Sequence, residues 1–192
     1  MDPRIERWAK TLVNYCLQVQ PGQMVLLIAS PVAEPLLAEV YRETLRAGGH
    51  PLTQIYQPTL EEIRLREAND EQLQWANPVS TLLADRIDAR LFIESDTNTR
   101  QLSGIDPSRE ALGRQSARET RAITSRRSVA GELRWCLTLF PTEAYAQDAG
   151  MSLRDFTEFV YEACFLNSED PTESGLFRFS YKGPMAFVRV SY

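Results

Sequence analysis

Met24-Val-Leu-Leu-Ile-Ala29 is apolar at every position. A strand with one wet face alternates polar and apolar residues, so an unbroken apolar run bounded by turns suits a central strand of a parallel sheet, covered by helices on both sides. The flanks agree. Upstream, Ile5, Trp8, Leu12, Cys16 and Val19 recur at spacings of three and four, which predicts an amphipathic helix from about Pro3 to Gln20, stopped by Pro21-Gly22. Downstream, Leu36, Leu37, Val40, Tyr41, Thr44 and Leu45 trace one helical face, and Gly48-Gly49 supplies a residue able to take positive φ at its C-terminus.

The same alternation continues. Leu52 to Gln57 reads as a second strand, and Thr59 with Glu62 as a capping box opening a helix to about Asn69. A helix over Ser80 to Arg86 precedes a third strand, Ala89 to Glu94. Asp106-Pro107 places an N-cap before a proline at the first helical position and predicts one long helix to about Arg126. Leu133, Trp135, Leu137 and Leu139 alternate along a fourth strand. Ser152 with Asp155 caps a last helix whose buried face carries Leu153, Phe156, Val160, Ala163 and Leu166. Strands alternating with helices imply right-handed parallel crossovers, hence an α/β fold: a doubly wound, mainly parallel sheet with helices on both faces. After Leu166 the composition turns polar from Asn167 to Gly175, and Leu176 to Tyr181 with Met185 to Val190 reads as a short β-hairpin tail.

Composition narrows the function. Apolar residues make up 43% and charged residues 24%, so a folded domain is expected rather than a disordered chain. A net charge of −5 argues against nucleic acid and anionic lipid as partners, since both reward a cationic excess. Arg114, Arg118 and Arg121 lie at i, i+4 and i+7, but Glu110 and Glu119 are interleaved, the pattern of a solvated helix face. The N-terminus has no hydrophobic stretch of signal-peptide length, and Cys16, Cys136 and Cys164 lie in apolar surroundings without paired spacing. Three reduced core thiols in a cytoplasmic protein without membrane insertion are therefore expected.

Several kinds of chemistry are missing. The only lysines, Lys10 and Lys182, follow no glycine-rich turn, and no Gly-x-Gly-x-x-Gly stretch follows a strand, which disfavours nucleotide hydrolysis and hydride transfer. His50 is the sole histidine and sits where a helix returns to a strand, at the sheet end away from the strand C-termini. The better candidates are Glu94, Asp96 and Asn98 in the loop after the third strand. They form a polar loop able to bind a cation or an amine, and equally a composition that any polar turn shows.

Phe140-Pro-Thr-Glu-Ala-Tyr-Ala-Gln-Asp-Ala-Gly-Met-Ser152, with Trp135 ahead and Phe156, Phe159, Val160 and Tyr161 behind, resembles the signature of the aminopeptidase T and aminopeptidase S family. Trp8 to Val13, Val19 to Gln23, Val25 to Ile28, Pro35 to Leu37 and Leu45 to Gly49 look like the family's first helix, turn, strand and second helix in order. The resemblance covers about residues 5 to 166 and implies an N-terminal α/β domain. It marks Trp135, Pro141, Thr142, Glu143, Ala144, Ala146, Gln147, Gly150 and Met151 as signature positions that place the last helix or shape an inter-domain face. In the intact family a separate C-terminal domain holds two divalent cations (Zn, Co or Mg) on glutamates, histidines, a tyrosine and an aspartate. There it removes N-terminal residues from peptides, and the protein is a homodimer.

Those histidine-bearing motifs have no counterpart here, so no metal or other cofactor is expected in this chain and no residue is assigned a catalytic or metal role. The expected organisation is an α/β domain over 5–166, followed by a linker and short β tail over 167–192, a remnant of the catalytic domain. Residues 167–192 include Glu169 and Glu173, which fall in no recognisable ligand motif. Two readings follow: a fragment or internally deleted aminopeptidase, inactive alone, or a noncatalytic dimerisation or binding module on the same scaffold. A third, a small-molecule site of flavodoxin-like type, requires a pocket around Ser30, Thr59 and Glu94 to Asn98.

Overall fold

The computed structural model describes residues 2–168 and 188–191. Four strands, β1 (Met24–Ala29), β2 (His50–Ile55), β3 (Ala89–Glu94) and β4 (Arg134–Leu139), run parallel in the order β2-β1-β3-β4. The predicted doubly wound sheet is therefore present, with β1 and β3 at its centre. A short β5 (Val188–Ser191) pairs antiparallel with β4. The first arm of the predicted hairpin, its turn, and Glu169 and Glu173 lie outside the described residues.

One face of the sheet carries the main core. Val25, Leu27, Ala29, Leu91, Ile93 and Cys136 meet side chains of α1 (Pro3–Lys10), α2 (Glu34–Arg46), α8 (Glu143–Asp148) and α9 (Leu153–Ala163). Gly48 closes α2 at φ +79, the left-handed conformation that glycine adopts without steric cost. The other face is thinner. Leu26 and Ile28 pack with Leu52, Leu83, Ile87 and Leu133, beneath α5 (Pro78–Arg86) and α7 (Arg118–Val129). A satellite core of Leu65, Leu73 and Ile105 joins α3 (Pro58–Glu67), α4 (Asp70–Gln74) and α6 (Pro107–Ser116).

The structure departs from four sequence expectations. The first helix does not run evenly from Pro3 to Gln20: it becomes a π-helix over Thr11–Cys16 and ends at Gln18, which takes φ 48. The wider turn brings Leu12, Val13, Cys16 and Leu17 into the core together, a broader face than a 3.6-residue repeat allows. Thr59 and Glu62 form no capping box, because α3 starts at Pro58 and Thr59 and Glu62 both face Gln101 instead. The capping box belongs to Asn69 and Gln72, which open α4 and end the predicted helix early.

The long helix to Arg126 breaks at Ala117, since α6 packs on α4 whereas α7 packs on α5. The second strand begins two residues earlier than predicted, pulled into register by the His50 amide on the Gln23 carbonyl at 2.7 Å. In β4 the deeper side chains are Cys136 and Thr138, while Trp135 and Leu137 lie half-buried on the thinner face.

Candidate functional site

In an open parallel sheet the strand C-termini leave a crevice where adjacent connections part to opposite faces, here between β1 and β3. Ser30 follows β1 and Ser95 follows β3. Both are buried, and their hydroxyls lie 2.8 Å apart with the Ser30 Oγ also donating to the Ser95 carbonyl at 3.0 Å. The crevice floor is thus closed by a serine pair rather than left open for a ligand.

The loop beyond it is held by the signature stretch. Thr142 is buried at the N-cap of α8, and its Oγ1 donates to the Asp96 carbonyl at 2.6 Å while accepting from the Tyr145 amide at 3.4 Å. The Tyr145 hydroxyl donates to Asp96 Oδ2 at 3.2 Å and accepts from the Asp96 amide at 3.2 Å. One turn of helix therefore clamps the backbone and the carboxylate of Asp96. Burial first, and the neighbouring Asp96 and Glu94 charges after it, raise the Tyr145 phenol above its ordinary pKa, so it stays neutral and able to donate. Tyr56, after β2, is raised for the same reasons, burial and then Asp96.

Pro141, Ala144 and Ala146 are buried; Ala146, fully inside the main core, lets α8 approach closely. Gly150 takes φ +67 just past α8, and Ser152 then caps α9 as expected, accepting from the Asp155 amide at 3.1 Å. Glu143, Gln147 and Met151 point to solvent. Trp135 lies apart, on the opposite face of the sheet. Apart from Trp135, the signature positions thus divide into a buried set that fixes α8 against the β3 loop and an exposed set open to another surface.

The three polar candidates are not brought together. Glu94 is half-buried on β3, Asp96 is occupied by Tyr145, and Asn98 is exposed and accepts from the Arg100 amide at 3.0 Å in its own turn. Thr59 is exposed and bonded to Gln101, so it does not complete the pocket of the small-molecule reading. Tyr145 is the functional group that sequence reasoning passed over, because nothing in the chain signals its tie to a loop 49 residues away.

The thiols behave as a core feature. Cys16, Cys136 and Cys164 are free and buried. Cys136 is raised far above an ordinary thiol by its hydrogen bond with Cys16 and then by burial, and Cys164 is pushed up to about 12 by burial. The structure gathers three cysteines that are distant in sequence, and burial keeps Cys136 and Cys164 protonated and unreactive.

No group of three or more histidine, cysteine or carboxylate side chains among the described residues is arranged to hold a metal ion. His50 is exposed at the N-terminal end of β2, remote from the crevice. The donors present do not fit a two-metal centre, which needs several convergent ligands. Among the described residues no helix is long and apolar enough to cross a membrane.

The class so defined is an open α/β domain of strand order 2-1-3-4 whose β3 loop is clamped by a Pro-Thr-Glu-Ala helix start. The chain belongs to the thermophilic metalloprotease family M29, whose family model matches residues 1–174. Among solved structures it is similar to wild-type AmpT from Thermus thermophilus, with a TM-score of 0.69 at 18% identity. That match covers 84% of this chain and 42% of the other, so the chain spans less than half the length of that relative. At such identity the likeness speaks for the fold alone. No curated protein matches the chain.

Proposed function

We propose that this chain is the N-terminal α/β unit of a metal-dependent aminopeptidase, with peptide hydrolysis performed by residues outside it. The observation that carries this reading is the family match over residues 1–174 in a chain whose only histidine is exposed at the wrong end of the sheet. In this reading residues 5–166 form the scaffold and 167–192 lead toward the catalytic part. Two divalent cations held there, Zn, Co or Mg, would supply the Lewis acidity that peptide hydrolysis needs. The exposed signature residues Glu143, Gln147 and Met151 shape the face that meets that part. Peptides bind only when it is present, the whole enzyme is a cytoplasmic homodimer, and no nucleic acid or membrane is engaged.

The test is direct. Amino-acid p-nitroanilides with added cobalt, zinc or magnesium should give no turnover above a metal-free control. Turnover that a chelator abolishes would contradict the assignment.

Exposed Leu60, Ile63, Trp75, Val79 and Leu82 on the α3–α5 side favour a second reading, a noncatalytic dimerisation or binding module. Light scattering tests it: the module requires a stable dimer of this chain, and a monomer at all accessible concentrations opposes it.

A further inference from the structure

We infer that Arg90 anchors a binding site for a small organic anion, an oxyanion group carrying a short apolar tail, between the thinner face of the sheet and α7. Arg90 stands near the start of central strand β3, flanked in register by Leu26 of β1 and Trp135 of β4. It is half-buried, yet among the described residues its guanidinium makes no hydrogen bond or ion pair, whereas Arg4, Arg64, Arg109, Arg127 and Arg134 all do. Taking an arginine out of water without a partner is costly, and its desolvation lowers its pKa from the usual value.

The surroundings suit an anion. Arg90 lines two adjoining cavities. The larger, about 350 Å³, is walled by Arg90, Arg121, Thr124, Ser125, Ser128 and Trp135 together with Val129 and Leu133, so its charged residues are both cations and it has no carboxylate. The smaller, about 170 Å³, is lined by Leu26, Ile28, Leu83, Ala84 and Ile87, with Gln54, Ser80, Thr120 and Thr124 at its polar side. A helix covering a sheet ordinarily turns aliphatic side chains inward. Here α7 has no buried residue, and Thr120, Thr124 and Ser128, at i, i+4 and i+8, are half-buried and line these cavities. The planar fork of Arg90 suits a carboxylate or phosphate group bidentately, and the aliphatic cavity beside it takes a short hydrocarbon tail. An inorganic ion satisfies only the first half of that description.

The probes are hexanoate and inorganic phosphate, titrated into the whole chain at low salt by calorimetry and by following the Arg90 Nε–H resonance. Expected are saturable hexanoate binding that shifts this resonance, phosphate weaker by about tenfold, and loss of hexanoate binding by about tenfold or more in Arg90→Met. Arg86→Met, which removes an exposed cation, should leave binding unchanged. Thermal melting of Arg90→Met reports whether it folds, and the wild-type resonance shift reads the site whatever that variant does. No saturation by hexanoate, an unshifted Arg90 resonance, equal affinity in folded Arg90→Met, or phosphate binding as tightly as hexanoate would each overturn the inference.

Discussion

Glu94 shows what a single residue contributes when no partner meets it. Its backbone carbonyl accepts from the Phe140 amide at 2.7 Å, joining β3 to the end of β4. Its carboxylate makes no hydrogen bond or ion pair among the described residues, and burial, followed by the charge of Asp96, raises its pKa above the ordinary value of 4.5. A carboxyl raised in the folded state holds its proton longer than in the unfolded chain. Its stabilising share is therefore complete below about pH 4.5 and is lost as pH rises through the folded value. Glu94→Gln cannot titrate, so it should melt above the wild type at pH 7 and converge with it in acid. Melting curves of both proteins from about pH 4 to 8 decide the matter; a gap that stays constant across that range contradicts the account. The sequence placed Glu94, Asp96 and Asn98 within five residues and so suggested one site. Side-chain direction and the Tyr145 clamp separate them, and neither is written locally in the chain.

Among the elements, the strands were legible wherever the physical signal was local. Met24–Ala29 and Ala89–Glu94 are apolar or alternating runs bounded by turns, and both were read with the ends they have. Helix continuity was not legible, because it depends on what each turn packs against. Ala117 divides α6 from α7 where their partners change, and the π segment appears where the core accepts a broader face of the first helix. That segment ends at Gln18, a residue exposed to solvent and held at φ 48, where a Cβ is strained. Its carbonyl accepts from Gln20 Nε2, but among the described residues its own side chain makes no hydrogen bond. Gln18→Gly should therefore stabilise the fold by about 0.5–1 kcal/mol, whereas Gln18→Ala keeps the strain and should gain nothing of that size. Urea unfolding of the three proteins measures it, and an equal response of the two variants would show that the strain is absent.

Across the whole molecule, the two ends of the domain are fastened by arginines from the first helix. Arg7 Nε donates to the Leu166 carbonyl at 2.9 Å, just beyond α9 and 159 residues away. Arg4 reaches Glu158 at 2.6 Å and sits 4.3 Å over the Tyr161 ring. The last helix thus depends on the first, and a domain closed in this way gains cohesion only when both ends are present. None of this is visible from spacing, since Arg4 and Arg7 read as ordinary polar positions of an amphipathic helix. Arg7 is half-buried and serves a carbonyl in the turn that follows α9, so losing it leaves that acceptor short of a donor. Arg7→Met keeps the aliphatic stem and should cost about 1–2 kcal/mol in urea unfolding, with faster amide exchange in the last turn of α9. Arg86→Met removes an exposed pair with Asp85 at 3.5 Å and should change stability by less than about 0.5 kcal/mol. If the two variants unfold alike, the Arg7 bond to Leu166 carries no weight, and α9 is held to the first helix by Arg4 and to the core by Phe156 and Val160.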